Sequence, residues 1–310
     1  MRYGFGVDLG GTTVKLAWFR EDGTQLEKWE IPTVTEGNGS RILPDIAAAI
    51  QDFLQKNPGH EVLGIGIGVP GPVTAEGMVN RCVNLGWGVF PIEQELSRLT
   101  GLPVKAGNDA TVAALGECWM GGGKGYKNMV FATLGTGVGG GIVVDGKVLH
   151  GTHGAGGEIG HMTIDRTETE RCSCGKRGCV EQYCSATGIV RVTKQQLAAC
   201  DAPSSLRQLE TITCKDVFDA AKAGDGVATA ALERVYGYMG EFLANICNVM
   251  DPEAVVIGGG VSKAGEMLLE GIRRHFEKCV FHAVSPVDFR LASLGNDAGA
   301  YGAFKLILDR

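Results

Sequence analysis

The chain opens on three apolar-polar alternating runs. "YGFGVDLGG", "TVKLAWFRE" and "TQLEKWEIP" cover residues 3–11, 13–21 and 24–32 and are parted by short turns, one of them Asp22-Gly23. Period-two alternation between turn residues predicts three consecutive strands. "RILPDIAAAIQDFLQKN" at 41–57 then carries apolar residues at helical spacing, and "VLGIGIGVPG" at 62–71 is a continuous apolar run ending in Pro-Gly. These predict an amphipathic helix and a buried strand. A helix with a glycine stop follows ("IEQELSRLTG", 92–101), then a short strand ("PVKAGND", 103–109) and a helix ("ATVAALGECWMGG", 110–122).

After that the pattern restarts. "MVFATLGTGVGGGIVVDGKVLHG" at 129–151 repeats the opening hairpin: Asp8-Leu9-Gly10-Gly11 corresponds to Thr133-Leu134-Gly135-Thr136, and Asp145-Gly146 falls where Asp22-Gly23 stood. The offset is about 125 residues, one domain length. "PEAVVIGGGVSKAGEMLLEGIRRHF" reads as strand, glycine turn and helix, and "NDAGAYGAFKLILD" as a closing small-residue helix suited to close lobe-to-lobe packing. The recurrence favours two similar α/β lobes with a ligand cleft between them over one large doubly wound sheet. The expected lobes are residues 1–118 with 298–310, and residues 119–297.

Composition narrows the function classes. With 44% apolar and 21% charged residues in 310, this is an ordinary globular chain of more than one core. A net charge of −6 gives no footprint for nucleic acid or membrane. No apolar run is long enough to span a bilayer, and "MRYGFGVDLGG" lacks the apolar stretch of a signal peptide. A cytoplasmic setting is expected, with the scattered cysteines 82, 118, 200, 214, 247 and 279 reduced.

The glycine turns are the first candidate chemistry. Neither "DLGGTTVK" nor "LGTGVGGG" is a Walker loop or a dinucleotide fingerprint. Both expose backbone N–H groups and hydroxyls at a bend, which suits anionic oxygens. Gly10, Gly11, Thr12 and Thr13 in the first, and Thr136, Gly137 and Gly139 in the second, are the phosphate candidates. Asp8 suits a water-bridged Mg²⁺ and Lys15 offsets charge. Gly259 and Gly260 form a third glycine turn. Either loop alone is equally a plain hairpin turn; together they favour a nucleoside triphosphate site.

Two further features carry chemistry. Asp109 follows a strand and precedes a helix, so it sits at the carboxyl end of a sheet, where open α/β folds bind ligands. An aspartate there also reads as a helix cap. Asn296-Asp297 is a similar pair, and Asp297 is assigned to a cap. Cys172, Cys174 and Cys179 give C-x-C-x4-C, neither the C-x-x-C redox spacing nor a disulfide pattern for a reducing compartment. Three thiolates need a fourth zinc ligand, and the candidates are His161 and Cys184. On a helix Cys184 would point about 140° away from Cys179.

Together the loops at 8–15 and 134–141, the stretch "GNDATVAALGE" and the cysteine cluster resemble the ROK family of sugar kinases and related repressors, over nearly the whole chain. "VNLGWGVFPIEQELSRLTGLPV" is most similar to bacterial ROK glucokinases. The resemblance implies an actin-like (ribonuclease H-like) ATPase fold and ATP-dependent phosphorylation of a hexose, with glucose the expected acceptor at its 6-hydroxyl. It implies Asp109 as general base and "GGGVS" near the adenosine. It implies a structural zinc held by His161, Cys172, Cys174 and Cys179. Glu158, His161 and Glu181, with Asn84, Asn108 and Asp109, would contact the sugar. A homodimer or homotetramer is expected. N-acetylmannosamine, N-acetylglucosamine, allose or fructose are alternative acceptors, and polyphosphate an alternative donor. ROK repressors carry an N-terminal helix-turn-helix; here the first hairpin follows Met1 at once with no basic segment before it, so an enzyme is the expectation.

Overall fold

A computed structural model describes residues 1–310, the side chain of Val83 excepted. The first sheet is built from β1 (Arg2–Leu9), β2 (Thr13–Arg20) and β3 (Gln25–Pro32) as an antiparallel meander. α1 (Ile42–Lys56) leads to β4 (Glu61–Val69), parallel to β1. A small hairpin of β5 (Met78–Cys82) and β6 (Trp87–Pro91) precedes α2 (Ile92–Thr100). β7 (Val104–Asn108) then joins β4 in parallel and runs straight into α3 (Asp109–Met120). The order is β3-β2-β1-β4-β7.

The second sheet repeats this plan. β8 (Met129–Leu134), β9 (Val138–Val144) and the short β10 (Lys147–Val148) form its hairpin side. Helices α4 (Glu181–Cys184), α5 (Ala186–Ala198), α6 (Cys214–Lys222) and α7 (Gly226–Met250) follow. β11 (Ala254–Gly258), α8 (Glu266–Cys279), β12 (Asp288–Leu291) and α9 (Ala298–Leu308) complete the chain. The order β10-β9-β8-β11-β12, with β8, β11 and β12 parallel, matches the first sheet strand for strand. No helix among the described residues is long and apolar enough to cross a membrane.

Alternation along β1 decides what each face of the first sheet carries. Phe5, Val7 and Leu9 enter the same core as Val14, Leu16 and Trp18 of β2 and Ile42, Ile46, Ile50 and Phe53 of α1. The other face, Gly4, Gly6 and Asp8, meets α9. A Cβ on Gly6 would lie 2.0 Å from the Ala300 carbonyl oxygen, and one on Gly66 of β4 would lie 1.6 Å from that of Ala303. Bare strand backbone therefore lets α9 lie directly on the sheet. The small residues of α9 serve this seam and α3, where a Cβ on Gly302 would lie 1.7 Å from the Val112 carbonyl oxygen. Their contacts are inside one unit, which corrects the expectation of lobe-to-lobe packing.

The chain folds into two compact units: residues 1–127, 141–157 and 294–310, and residues 128–140 with 158–293. These bounds differ from those expected. The first unit runs past 118 because α3 continues to Met120 and its Glu117 ties down the following loop. It also recovers residues 141–157, since Gly141 packs on Ala114 and Thr111 donates to the Gly156 carbonyl at 3.4 Å. The core of the second unit gathers α5 to α8 against β8 and β11 around Val235, Met239, Phe242 and Leu243.

Candidate active site

The first unit places its candidate chemistry at the carboxyl ends of its parallel strands. β1 ends in the turn at Gly10, where the Gly10 N–H donates to the Thr13 carbonyl at 3.0 Å and Thr33 donates its hydroxyl to the Gly10 carbonyl at 2.7 Å. Gly11 and Thr12 are exposed at the tip, while Thr13 already begins β2. Asp8 and Lys15 are register partners, and Lys15 Nζ lies 3.3 Å from Asp8 Oδ2. The Asp8 carboxylate also lies against the first turn of α9: a Cβ on Gly299 would come within 2.7 Å of it. A helix N-terminus favours negative charge there. Asp297 is not the cap expected. It sits in αR conformation, makes no capping bond, and pairs with Lys28 at 3.1 Å.

At the end of β7 the two neighbouring side chains divide their work. Asn108 is the α3 cap: its Oδ1 accepts the Thr111 N–H at 3.1 Å and its Nδ2 donates to the Gly71 carbonyl at 3.2 Å, tying β7 to the end of β4. Asp109 is the first helical residue, with Oδ1 accepting the Ala110 N–H at 2.7 Å. Cys82 donates its thiol to the Pro70 carbonyl at 2.7 Å. Burial raises the Cys82 pKa, and the Asp109 charge adds to the rise. Asn84 is exposed on the short helical turn Val83–Leu85 that follows.

Glu117, in the same helix as Asp109, was not singled out from sequence. It is fully buried, its carboxylate accepting the Gly122 N–H at 2.8 Å and the Leu294 N–H at 2.9 Å. A glutamate on the apolar face of "ATVAALGECWM" was the available signal.

In the second unit the turn after β8 is closed by the Gly135 N–H donating to the Gly137 carbonyl at 3.0 Å. Thr136 is exposed at its tip, whereas Gly139 lies within β9 and not in the turn, a correction to its expected place. The turn rests on the start of α5. Ala186 N–H donates to the Gly135 carbonyl at 2.8 Å and Thr187 Oγ1 to the Thr136 carbonyl at 3.0 Å. The segment from Cys179 is not one helix, because Ser185 turns extended and caps α5.

The third glycine turn follows β11. A Cβ on Gly259, which has φ +81°, would lie 2.4 Å from the Leu134 carbonyl oxygen. Gly260 opens a short 3₁₀ turn, Gly260–Ala264, ahead of α8. It lines a cavity of about 590 Å³ with Ala186, Phe218, Lys215, Lys222 and Lys263. The α6 contribution to this cavity was not foreseen: the helix reads as an ordinary amphipathic surface helix until tertiary packing brings Phe218 beside Gly260.

The cysteine loop closes on itself. Backbone bonds from Ile164 to Gly178 and from Val180 to Met162 bring its two ends together. The ligand atoms of His161, Cys172, Cys174 and Cys179 all lie within 4.8 Å of one another. Cys174 Sγ and Cys179 Sγ are 3.6 Å apart, and Cys172 Sγ is 3.7 Å from His161 Nδ1. A zinc tetrahedron with Zn–S of about 2.3 Å and Zn–N of about 2.0 Å has edges of about 3.6 to 3.8 Å, which these spacings fit. Burial, with the Cys174 and Cys172 thiols beside it, pushes Cys179 up to about 12. Cys184 is excluded from the cluster: it is fully buried in the core, where desolvation raises its pKa.

Glu181 opens α4 beside this loop. Its Oε1 accepts from Ser173 Oγ at 3.0 Å and Cys172 Sγ at 3.5 Å, and its Oε2 accepts the Val138 N–H at 3.2 Å. Glu158 is exposed, and its carbonyl accepts the His161 N–H at 3.3 Å. Behind the loop Arg191 of α5 binds Glu168 at 2.5 Å and Glu170 at 3.1 Å. Burial opposes ionisation of Glu168, but hydrogen bonds from Tyr183, the Glu170 N–H and Arg191 outweigh it and hold the carboxyl at about 2.

A duplicated strand-turn-strand scaffold, with the same strand order in both sheets, is the frame of an actin-like ATPase. The ROK family model matches residues 4–310, and the chain belongs to that family. A glucokinase of Halalkalibacterium halodurans is 44% identical over 99% of this chain and 95% of that protein. A glucokinase of Thermotoga maritima is 36% identical over 98% and 97%. Among solved structures, a ROK family glucokinase from Streptomyces griseus in complex with glucose and AMPPNP superposes with a TM-score of 0.76 at 33% identity, covering 98% of each chain.

Proposed function

We propose that this chain is an ATP-dependent glucokinase that transfers the γ-phosphoryl group to the 6-hydroxyl of glucose. The observation that carries the reading is the place of Asp109, directly after the α3 cap Asn108 at the carboxyl end of β7, in the same sheet whose β1 ends in the Asp8 turn. The similarity to glucokinases along the whole chain supports the choice of acceptor. Phosphoryl transfer needs an oriented hydroxyl and a base to take its proton as the new P–O bond forms. Asp109 accepts that proton.

The donor's adenosine is assigned to the cavity at Gly260, and its phosphates to the turns at 10–12 and 135–137. Lys215, Lys222 and Lys263 supply positive charge around that cavity. Asp8, half-buried and next to Lys15, suits a water-bridged Mg²⁺, which screens phosphate charge when bound. His161, Cys172, Cys174 and Cys179 would hold a zinc ion with all coordination positions filled, so it orders the loop and does no chemistry. With Nδ1 toward the metal, His161 keeps Nε2 for a second partner. We assign that nitrogen, with Glu158, Glu181, Asn84 and Asn108, to the hexose hydroxyls. The proposal includes a cytoplasmic setting and a homodimer or homotetramer.

The test is ADP release with Mg-ATP across a hexose panel. Glucose should give the highest kcat/KM. A better acceptor among N-acetylmannosamine, N-acetylglucosamine, allose and fructose would overturn the substrate assignment and leave the kinase assignment standing.

A further inference from the structure

Glu181 has two commitments that sugar recognition does not require. One carboxylate oxygen accepts the Ser173 hydroxyl from inside the cysteine loop, and the other accepts the Val138 N–H at the end of the second phosphate turn. The fit is close: a Cβ on Gly137 would lie 2.4 Å from Glu181 Oε2. The same turn leans on α5 through Ala186 and Thr187. The peptide from Cys179 to Ser185 is stitched by local bonds, Gln182 N–H to the Cys179 carbonyl at 2.9 Å and Tyr183 N–H to the Val180 carbonyl at 3.0 Å. One short, braced segment thus joins the last cysteine of the loop to the support of the turn.

We propose that Ser173 and Glu181 are positioning residues that couple the metal loop to the second phosphate turn, so that metal occupancy sets nucleotide affinity as well as sugar affinity. The inference rests on the kinase and zinc readings above. Its physical basis is simple. A carboxylate held from both sides transmits displacement of either partner, because moving Ser173 costs a charge-assisted hydrogen bond and moving Val138 costs another. An ordered loop therefore holds Glu181 where the turn needs it. A disordered loop withdraws the Ser173 donor, and Glu181 then has one fewer bond holding its carboxylate against Val138. Binding linkage makes the effect reciprocal: nucleotide tightens metal as much as metal tightens nucleotide.

The experiment measures binding without turnover. A nonhydrolysable ATP analogue is titrated by calorimetry, in the absence of sugar, into wild type, Ser173→Ala, Ser173→Thr and chelator-stripped wild type, with zinc content measured on each. Ser173 is not a metal ligand, so both substitutions should retain zinc. Ser173→Ala and the stripped protein should bind the analogue on the order of fivefold more weakly, the lower range of such couplings. Ser173→Thr, which keeps the donor, should stay near wild type. In the reverse direction, the analogue should raise wild-type zinc affinity in competition with a chelator, and this rise should shrink in Ser173→Ala. A zinc-loaded Ser173→Ala protein that binds the analogue as tightly as wild type overturns the coupling. A wild type that does not bind the analogue at all overturns the kinase reading, and the coupling with it.

Discussion

Asp109→Asn tests proton acceptance at the start of α3. The residue opens α3, and its Oδ1 accepts the Ala110 N–H at 2.7 Å. Asparagine keeps that oxygen and the shape of the side chain, and the cap is supplied independently by Asn108. Stability should therefore stay within about 1 kcal/mol of wild type. What is lost is the carboxylate's capacity to take the hydroxyl proton. General-base catalysis contributes about 10²- to 10⁴-fold, so kcat should fall by that factor, which is about 3 to 5 kcal/mol of barrier. The assay couples ADP release to a chromogenic readout at saturating glucose and ATP, with glucose affinity measured separately by calorimetry. Glucose binding should change little. A variant with wild-type kcat would refute Asp109 as the base, whereas weakened glucose binding at unchanged kcat would make it a binding group only.

Glu117→Ala should destabilise the first unit by about 2 kcal/mol or more, since two part-buried backbone N–H groups lose their acceptor at about 1 kcal/mol each, the low end of such losses. A urea-melt difference below about 1 kcal/mol would show that water replaces the carboxylate. Cys174→Ser should purify with far less zinc than wild type by elemental analysis, and a metal-free wild type would remove the zinc assignment. Glu168, whose carboxyl is held at about 2, contributes stability that is complete above its ordinary value near 4.5 and is lost as pH falls through that value toward 2. Glu168→Gln should flatten the acid limb of thermal stability in that window; an acid limb as steep as that of wild type would place the sensitivity elsewhere.

Local sequence determined a great deal here. Period-two alternation in "YGFGVDLGG" specifies a strand, and it also specifies that Asp8 shares a face with Gly4 and Gly6. The recurrence of the hairpin after Met129 announced the duplicated sheet, and both sheets have the same strand order. The C-x-C-x4-C spacing with a preceding histidine pointed to a group of side chains that the fold does bring together. Such signals survive in one dimension because they depend on backbone periodicity and on neighbours a few residues away.

Other decisions needed the packed chain. Sequence left either residue of Asn108-Asp109 able to cap α3; the bond from Asn108 to Gly71, at the end of another strand, goes with Asn108 taking the cap. Asp297 sits before a helix in the same way, but Lys28, contributed by β3, draws it into an ion pair. Cys184 and His161 were both available as a fourth ligand until the break at Ser185 and the burial of α4 turned Cys184 into the core. In each case a side chain with two chemically reasonable roles takes the one set by residues distant in sequence that the fold packs beside it. That is a property of the tertiary contacts, and no spacing along the chain encodes it.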